Sequence, residues 1–291
     1  MSKTTLNTFW TGIASPYQTL CLSSWVAHGF DVVVYSVEDT LVLPRGAQRR
    51  PAREILDLNG HIYRYSQGFG AGSPALHSNL FRYILLSRGG WWLDTDVILL
   101  TDELPSGDTF LAWEVGKRLV GNAIMRLPAD SPMVHAAIEE ANEMAATATW
   151  GQTGPRLITD LVKRFGLTDL VRDPSSAYPI ASLEAMMFFD PACREAVEAR
   201  VQSSTFVHLW NQVWRFVGIP QEMGPPVGSY LDSLFVRYGG RDRFRDHLPI
   251  DCLRLWWKHA YRRRHLVRAK KIGLNLGPNF IQDSRATPSE P

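Results

Sequence analysis

Gly89-Gly90-Trp91-Trp92-Leu93-Asp94-Thr95-Asp96-Val97-Ile98-Leu99-Leu100 is the stretch that decides the fold class. Apart from Asp94, Thr95 and Asp96, the run from Trp91 to Leu100 is apolar at every position, as expected of a central strand in a sheet covered on both faces. The two glycines stop the helix before it and let the chain turn tightly into the strand. Two acids in such a strand cost roughly several kcal/mol each unless they are paired or bound to a cation. Period-two geometry predicts that Asp94 and Asp96 share one face, with Thr95 opposite. Same-face carboxylates repel one another. The simplest neutraliser is a hard divalent ion, Mg²⁺ or Mn²⁺, with a substrate diphosphate completing its shell.

Working outward, residues 6–10 read as a short strand, 16–29 as a helix closed by Gly29, and 31–37 as a β-branched strand, together a β-α-β unit. Residues 44–75 are rich in Pro, Gly and Arg and read as connecting structure, with one expected strand at 61–65 and a loop at 67–74. A helix is predicted over 75–88, a strand around 122–126, and helices over 132–147 and 155–165. Pro155 suits a helix start because its missing N–H loses no partner there. Residues 177–189 and 205–214 read as short strands or loops. Alternating strands and helices give an α/β class.

The 291 residues are 45% hydrophobic, enough for a large core without disulfides or metals. Three cysteines, Cys21, Cys193 and Cys252, are too few and too scattered for a disulfide framework or a zinc site. There is no basic region followed by an apolar stretch at the N-terminus, and no window reaches the ~18 apolar residues of a membrane span, so a cytoplasmic location is expected. The net charge of +2 is unevenly spread. Residues 254–271 hold eight of the 31 basic residues and no acid, which leaves 23 basic against 29 acidic elsewhere. Leu253, Trp256, Trp257, Ala260 and Tyr261 follow helical spacing within that segment, so it reads as a basic amphipathic helix. Such a helix suits an anionic membrane surface, giving peripheral attachment at the inner face, or packs its aromatic side on the body. It matches no nucleic-acid recognition module, and no nucleic-acid partner is expected. The predicted organisation is a catalytic domain over 1–250, the basic helical segment over 251–275 and a tail over 276–291 expected to be disordered.

Asp-Thr-Asp has two other readings. An EF-hand is excluded because its sixth loop position would be Leu99 and its twelfth Pro105. A Mg²⁺-dependent phosphohydrolase using Asp94 is disfavoured: the fourth position after that Asp is Ile98, and no later Lys with GDxxxD follows.

The wider segment Ser78-Asn79-Leu80-Phe81-Arg82-Tyr83, followed by Gly89-Gly90-Trp91-Trp92-Leu93-Asp94-Thr95-Asp96, resembles the S-D-x-x-R-Y…G-G-x-Y-x-D-x-D signature of the DXD-motif sugar transferases. That group includes fungal initiating mannosyltransferases, lactosylceramide α-1,4-galactosyltransferase and bacterial relatives. Phe9-Trp10-Thr11-Gly12 resembles the group's opening strand, Gly154-Pro155 its G-P helix start and His208-Leu209-Trp210 its H-x-W element, so about residues 5–215 are covered. The resemblance implies a glycosyltransferase-A fold: a Rossmann-like mixed sheet with flanking helices in a single catalytic domain, followed here by the basic C-terminal extension. It implies a metal-dependent, retaining hexosyltransferase that moves a sugar from a nucleotide-sugar, expected to be a UDP-sugar, to a hydroxyl of a glycan or lipid-linked saccharide. Mn²⁺ (or Mg²⁺) would be held by Asp94, Asp96 and His208. Donor contacts would come from Trp10 on the base, from Asn79, Arg82 and Asp94, and from Asn122, Gln152 and Gly154 near the sugar. Asn79 departs from the group's commoner Asp, which leaves donor identity open. No nucleophile is named by the resemblance. A silent carbohydrate-binding protein that keeps the site is the non-enzymatic alternative.

Overall fold

A computed structural model of the chain describes residues 3–68, 70–255 and 257–259. Its first unit is the expected one: β1 (Thr5–Trp10), α1 (Pro16–Ala27) and β2 (Asp31–Ser36). Ser15 and Gln18 form a capping box at the start of α1, where Pro16 occupies the first turn. Gly29 follows its end at φ 85°, a left-handed position that only glycine takes without strain. The next strand, β3 (Ala47–Pro51), pairs in parallel with β2 from Val32↔Ala47 to Ser36↔Pro51. It replaces the strand expected at 61–65, which is irregular. As an edge strand with alternate residues in solvent, Ala-Gln-Arg-Arg-Pro has no need of the apolar pattern by which strands are recognised.

Helix α2 (Ala75–Leu86) leads to β4 (Trp91–Leu93) and β5 (Val97–Leu99). The single strand expected over 91–100 is therefore two, broken where Val97 N–H donates to the Asp94 carbonyl at 3.1 Å. Asp94 and Asp96 lie in that turn, not on one face of a continuous strand. After it come β6 (Leu111–Val115), β7 (Leu119–Val120), β8 (Ile124–Arg126), α3 (Pro132–Glu143) and α4 (Leu157–Arg164). Pro155 lies inside a π-helical turn over Gln152–Arg156, so α4 begins later than its sequence suggests. The last described elements are β9 (Val171–Arg172), α5 (Arg194–Val201), β10 (Phe206–His208), α6 (Asn211–Val217) and α7 (Tyr230–Tyr238), with a further helical stretch from residue 250.

The main sheet has the order β3-β2-β1-β4-β8, parallel except for β8. β5 pairs antiparallel with β10, and β6 lies between β7 and β9. Leu6, Val32, Val34, Trp91 and Leu93 pack to one side with α1 and α7. Phe9, Val33, Tyr35 and Trp92 pack to the other with α2, α3 and α4. This two-sided alternation is the αβα layering expected of an α/β, Rossmann-like sheet. Chain order reverses between β1 and β4, and in open α/β sheets ligands bind beyond the strand C-termini at such a point. Asp94 follows the C-terminal end of β4, and Trp10 ends β1. Among the described residues no helix is long and apolar enough to cross a membrane. Apart from 251–255 and 257–259, the basic segment and the tail lie outside the described residues.

Candidate active site

The Asp94-Thr95-Asp96 turn is pinned from both sides. Asp94 N–H donates to the Ala123 carbonyl at 2.7 Å, and Leu209 N–H donates to the Asp96 carbonyl at 2.8 Å. Donor atoms of Asp94, Asp96 and His208 consequently lie within 4.8 Å of one another. His208 arrives through the pairing of β10 with β5, in register His208↔Val97. Its Nε2 is 3.1 Å from Asp96 Oδ1, and its Nδ1 is buried without a partner. Asp96 Oδ2 accepts from Asn211 N–H at 2.9 Å. Trp210 makes that aim possible by adopting φ 62°, a left-handed conformation uncommon for a large residue, between His208 and Asn211.

Asp94 is held differently. Its Oδ1 accepts from Arg82 Nη2 at 2.5 Å and from Trp92 Nε1 at 2.7 Å. The Arg82 guanidinium stacks over the Trp92 ring at 4.8 Å and donates through Nη1 to Asn79 Oδ1 at 2.7 Å. Asn79 and Arg82 share a face of α2 one turn apart, so a single helix supplies both. Asn79 also accepts from Asn122 Nδ2 at 3.0 Å and donates to Thr153 Oγ1 at 3.1 Å. Gly154 lies against this amide pair: a Cβ there would come within 3.2 Å of Asn122 and 3.3 Å of Asn79.

Burial and charge act oppositely on the two aspartates. Desolvation pushes the Asp94 carboxyl up, and neighbouring Asp96 adds to this against the pull of Arg82. Burial also pushes on Asp96, but the His208 imidazole and the Asn211 N–H outweigh it and hold that carboxyl low. His208 is raised, since Asp96, Asp94 and Glu114 overcome its desolvation. Two carboxylates and an imidazole form a donor set suited to Mn²⁺, with Mg²⁺ less well served by the nitrogen.

Asn79, Arg82, Asp94, Asp96, Asn122, Gly154 and His208 thus form one connected group. Gln152 stands apart from it: its Oε1 accepts from Thr149 and caps its own turn. Trp10 is also separate, with its indole N–H donating to the Gly12 carbonyl at 3.1 Å and Arg215 over its ring at 5.9 Å. The sequence reading missed Glu38, which follows β2. Its carboxylate accepts from Thr11, Gly12 and Ser36 and ties down the loop after β1. It also missed Glu114 on β6 and Tyr178, whose hydroxyl faces Gly121. The only hint was an acid inside an apolar strand, Leu-Ala-Trp-Glu-Val, since the contacts themselves are long-range.

Residues 127–230 match the family model described as the alpha 1,4-glycosyltransferase conserved region. No curated protein matches the chain. A solved structure, the PaToxG glycosyltransferase, is 11% identical, with 81% of this chain and 86% of that chain covered and a TM-score of 0.41. The matched segment holds Thr153, Gly154, His208 and Asn211, whereas Asn79, Arg82, Asp94, Asp96 and Asn122 precede it. The region similar to the alpha 1,4-glycosyltransferase conserved region thus supplies one wall of the cluster, and the end of the main sheet supplies the other.

Proposed function

We propose that the chain moves a sugar from a nucleotide-sugar of the UDP type to a hydroxyl of a glycan or lipid-linked saccharide, with retention at the anomeric carbon and with Mn²⁺ or Mg²⁺ held by Asp94, Asp96 and His208. The carrying observation is the convergence of those three donors at the β1/β4 crevice. A divalent cation there supplies positive charge opposite the diphosphate of the departing nucleotide. The protein's own groups prepare the place. Arg82 and Trp92 fix the Asp94 carboxylate, while Asn211 and His208 orient that of Asp96. Asn79, Asn122 and the close backbone at Gly154 form the wall offered to the sugar, and the Trp10 loop, tied by Glu38, is the place for the base. In this reading Arg82 acts through Asp94 and Asn79, and Gln152 shapes the turn that leads to Gly154.

The deciding experiment incubates the full chain with UDP- and GDP-sugars plus Mn²⁺ and follows release of nucleoside diphosphate. The transferase reading expects release that stops with EDTA and in Asp96→Ala. Orthophosphate from simple phosphoesters would instead establish the phosphohydrolase, and metal-dependent donor binding without turnover the silent binder. The basic stretch 254–271 is proposed as a docking face for anionic membrane, which would leave the protein cytoplasmic and peripheral. Removal of residues 253–291 should then abolish co-sedimentation with phosphatidylglycerol vesicles.

A further inference from the structure

Glu114 on β6 has no part in the reading above, yet the strand delivers it to the site. Along β6 and the residue before it, Phe110 and Ala112 pack into the core shared by Tyr178, Phe206 and Trp210. Leu111 and Trp113 pack into the opposite one with Val120 and Ile158. The register with β7 then shifts between Trp113 and Val115, so Glu114 sits at a bulge, where a strand re-aims a side chain out of strict alternation. Gly121 N–H donates to the Ala112 carbonyl at 3.0 Å, and Gly121 lies directly against the Tyr178 ring. The next residue is Asn122, already in the cluster. From this position Glu114 acts electrostatically on both Tyr178 and His208.

Among the described residues Glu114 makes no hydrogen bond and no ion pair, although it is partly withdrawn from water. A carboxyl group so placed costs roughly several kcal/mol unless something partners it. Nothing in the strand requires an acid at this point, because Leu111, Ala112 and Trp113 are all apolar and buried. The groups it acts on, Tyr178 and His208, belong to or adjoin the cluster, where a bound sugar would supply the partner.

We propose that Glu114 is a sugar-contacting catalytic residue: its carboxylate accepts a hydrogen bond from a hydroxyl of the transferred sugar and opposes the positive charge that develops on the sugar ring. The proposal rests on the transferase reading. In the reaction the bond from the anomeric carbon to the diphosphate breaks with its electron pair leaving on the diphosphate oxygen. The acceptor oxygen bonds to the anomeric carbon, and its proton passes to the departing diphosphate. Glu114 forms no covalent bond and takes no proton; its contribution is charge and orientation, which matter most in an oxocarbenium-like transition state.

The test compares the full wild-type chain with Glu114→Gln and Glu114→Leu, in Mn²⁺, on UDP-glucose, UDP-galactose, UDP-N-acetylglucosamine and GDP-mannose. Turnover, KM, binding of free UDP and GDP by tryptophan fluorescence, and melting temperature are all measured. Both variants should lose about tenfold to a hundredfold in kcat, with a smaller change in KM and with nucleotide binding within about twofold of wild type. Melting temperature should hold or rise, because an unpartnered carboxyl has been removed. Turnover within about twofold of wild type in both variants would overturn the proposal. So would a parallel fall in melting temperature and nucleotide affinity, the signature of a structural role. If Glu114→Leu fails to fold, Glu114→Gln, of the same size, still decides. A wild-type chain that neither binds nor turns over any of the four donors brings down the transferase reading along with this inference; an active wild type with active variants brings down this inference alone.

Discussion

Arg82 shows how much of the site is structural before it is chemical. Its side chain is 3% exposed, against 28% for Asp94, and its Nε has no partner. The sequence alone suggests an arginine reaching for a substrate, whereas the folded chain uses it to keep one carboxylate in place under a tryptophan ring. Removing one partner of a buried ion pair strands the other charge, so Asp94→Ala should cost ~3–5 kcal/mol in urea unfolding. Arg82→Lys should also destabilise, because a single ammonium cannot bridge Asn79 and Asp94 as a planar fork does. Asp96 differs, since its partners are a main-chain N–H and an imidazole. Asp96→Asn keeps an acceptor for Asn211 and should cost about 1 kcal/mol, while stabilisation of the fold by Mn²⁺ in thermal melts should disappear. Equal losses of stability at the two aspartates would refute this division of roles.

At the level of elements, the decisive event is the break between β4 and β5. An apolar run such as Trp91 to Leu100 reveals burial but not which sheet each half joins, because both partners are distant: Ile124 to Arg126 for β4 and Phe206 to His208 for β5. The β1-α1-β2 unit, α2 and its glycine stop were legible because their signals are local: a capping box, a left-handed glycine, a helical period. The edge strand β3 was not, since an exposed Arg-rich strand has no apolar signature. The acids and His208 were legible as residue types in a recognisable pattern. Glu38, Glu114 and Tyr178 reach their places only through tertiary pairing. The hairpin from β6 to β8 offers a sharp test of that packing. A Cβ at Gly121 would lie 2.3 Å from the Tyr178 hydroxyl, and Tyr178 is buried and cannot swing away. Overpacking of this kind costs ~1–3 kcal/mol or more, so Gly121→Ala should lower the melting temperature by several degrees and also reduce turnover by displacing Asn122. A Gly121→Ala chain as stable and active as wild type would contradict this packing. Gly154→Ala meets amide side chains at 3.2 and 3.3 Å instead and should disturb donor binding more than stability.

Across the whole molecule, the core face formed by β1, β2 and α2 contains a group that ties stability to pH. His77 packs among Phe9, Tyr63 and Phe81, and neither of its ring nitrogens has a hydrogen-bond partner. Burial lowers its pKa to about 4, with the positive charges of His61 and Arg64 adding to the effect. The fold therefore holds His77 neutral. Between about pH 6.5 and pH 4 the unfolded chain binds a proton that the folded chain refuses, so stability falls as pH falls through that window. Below the window both states are protonated and the loss from this residue levels off, at no more than ~3 kcal/mol. Glu38, Glu184 and Asp190, whose carboxyls are held low against burial by hydrogen bonds and, for the last two, arginines, lose their stabilisation only toward the acid end of that window and below it. The carboxylate windows open only near pH 4.5, so over pH 7.5 to 5 one substitution can isolate the His77 contribution. His77→Phe keeps an aromatic ring among aromatic rings and removes the titration. Urea midpoints of wild type should drop between pH 7.5 and pH 5, and those of His77→Phe should drop less. The difference belongs to His77 because every other titrating group is common to both chains. Parallel curves over this range would mean that water reaches the imidazole in the folded state and that this part of the core is looser than its packing indicates.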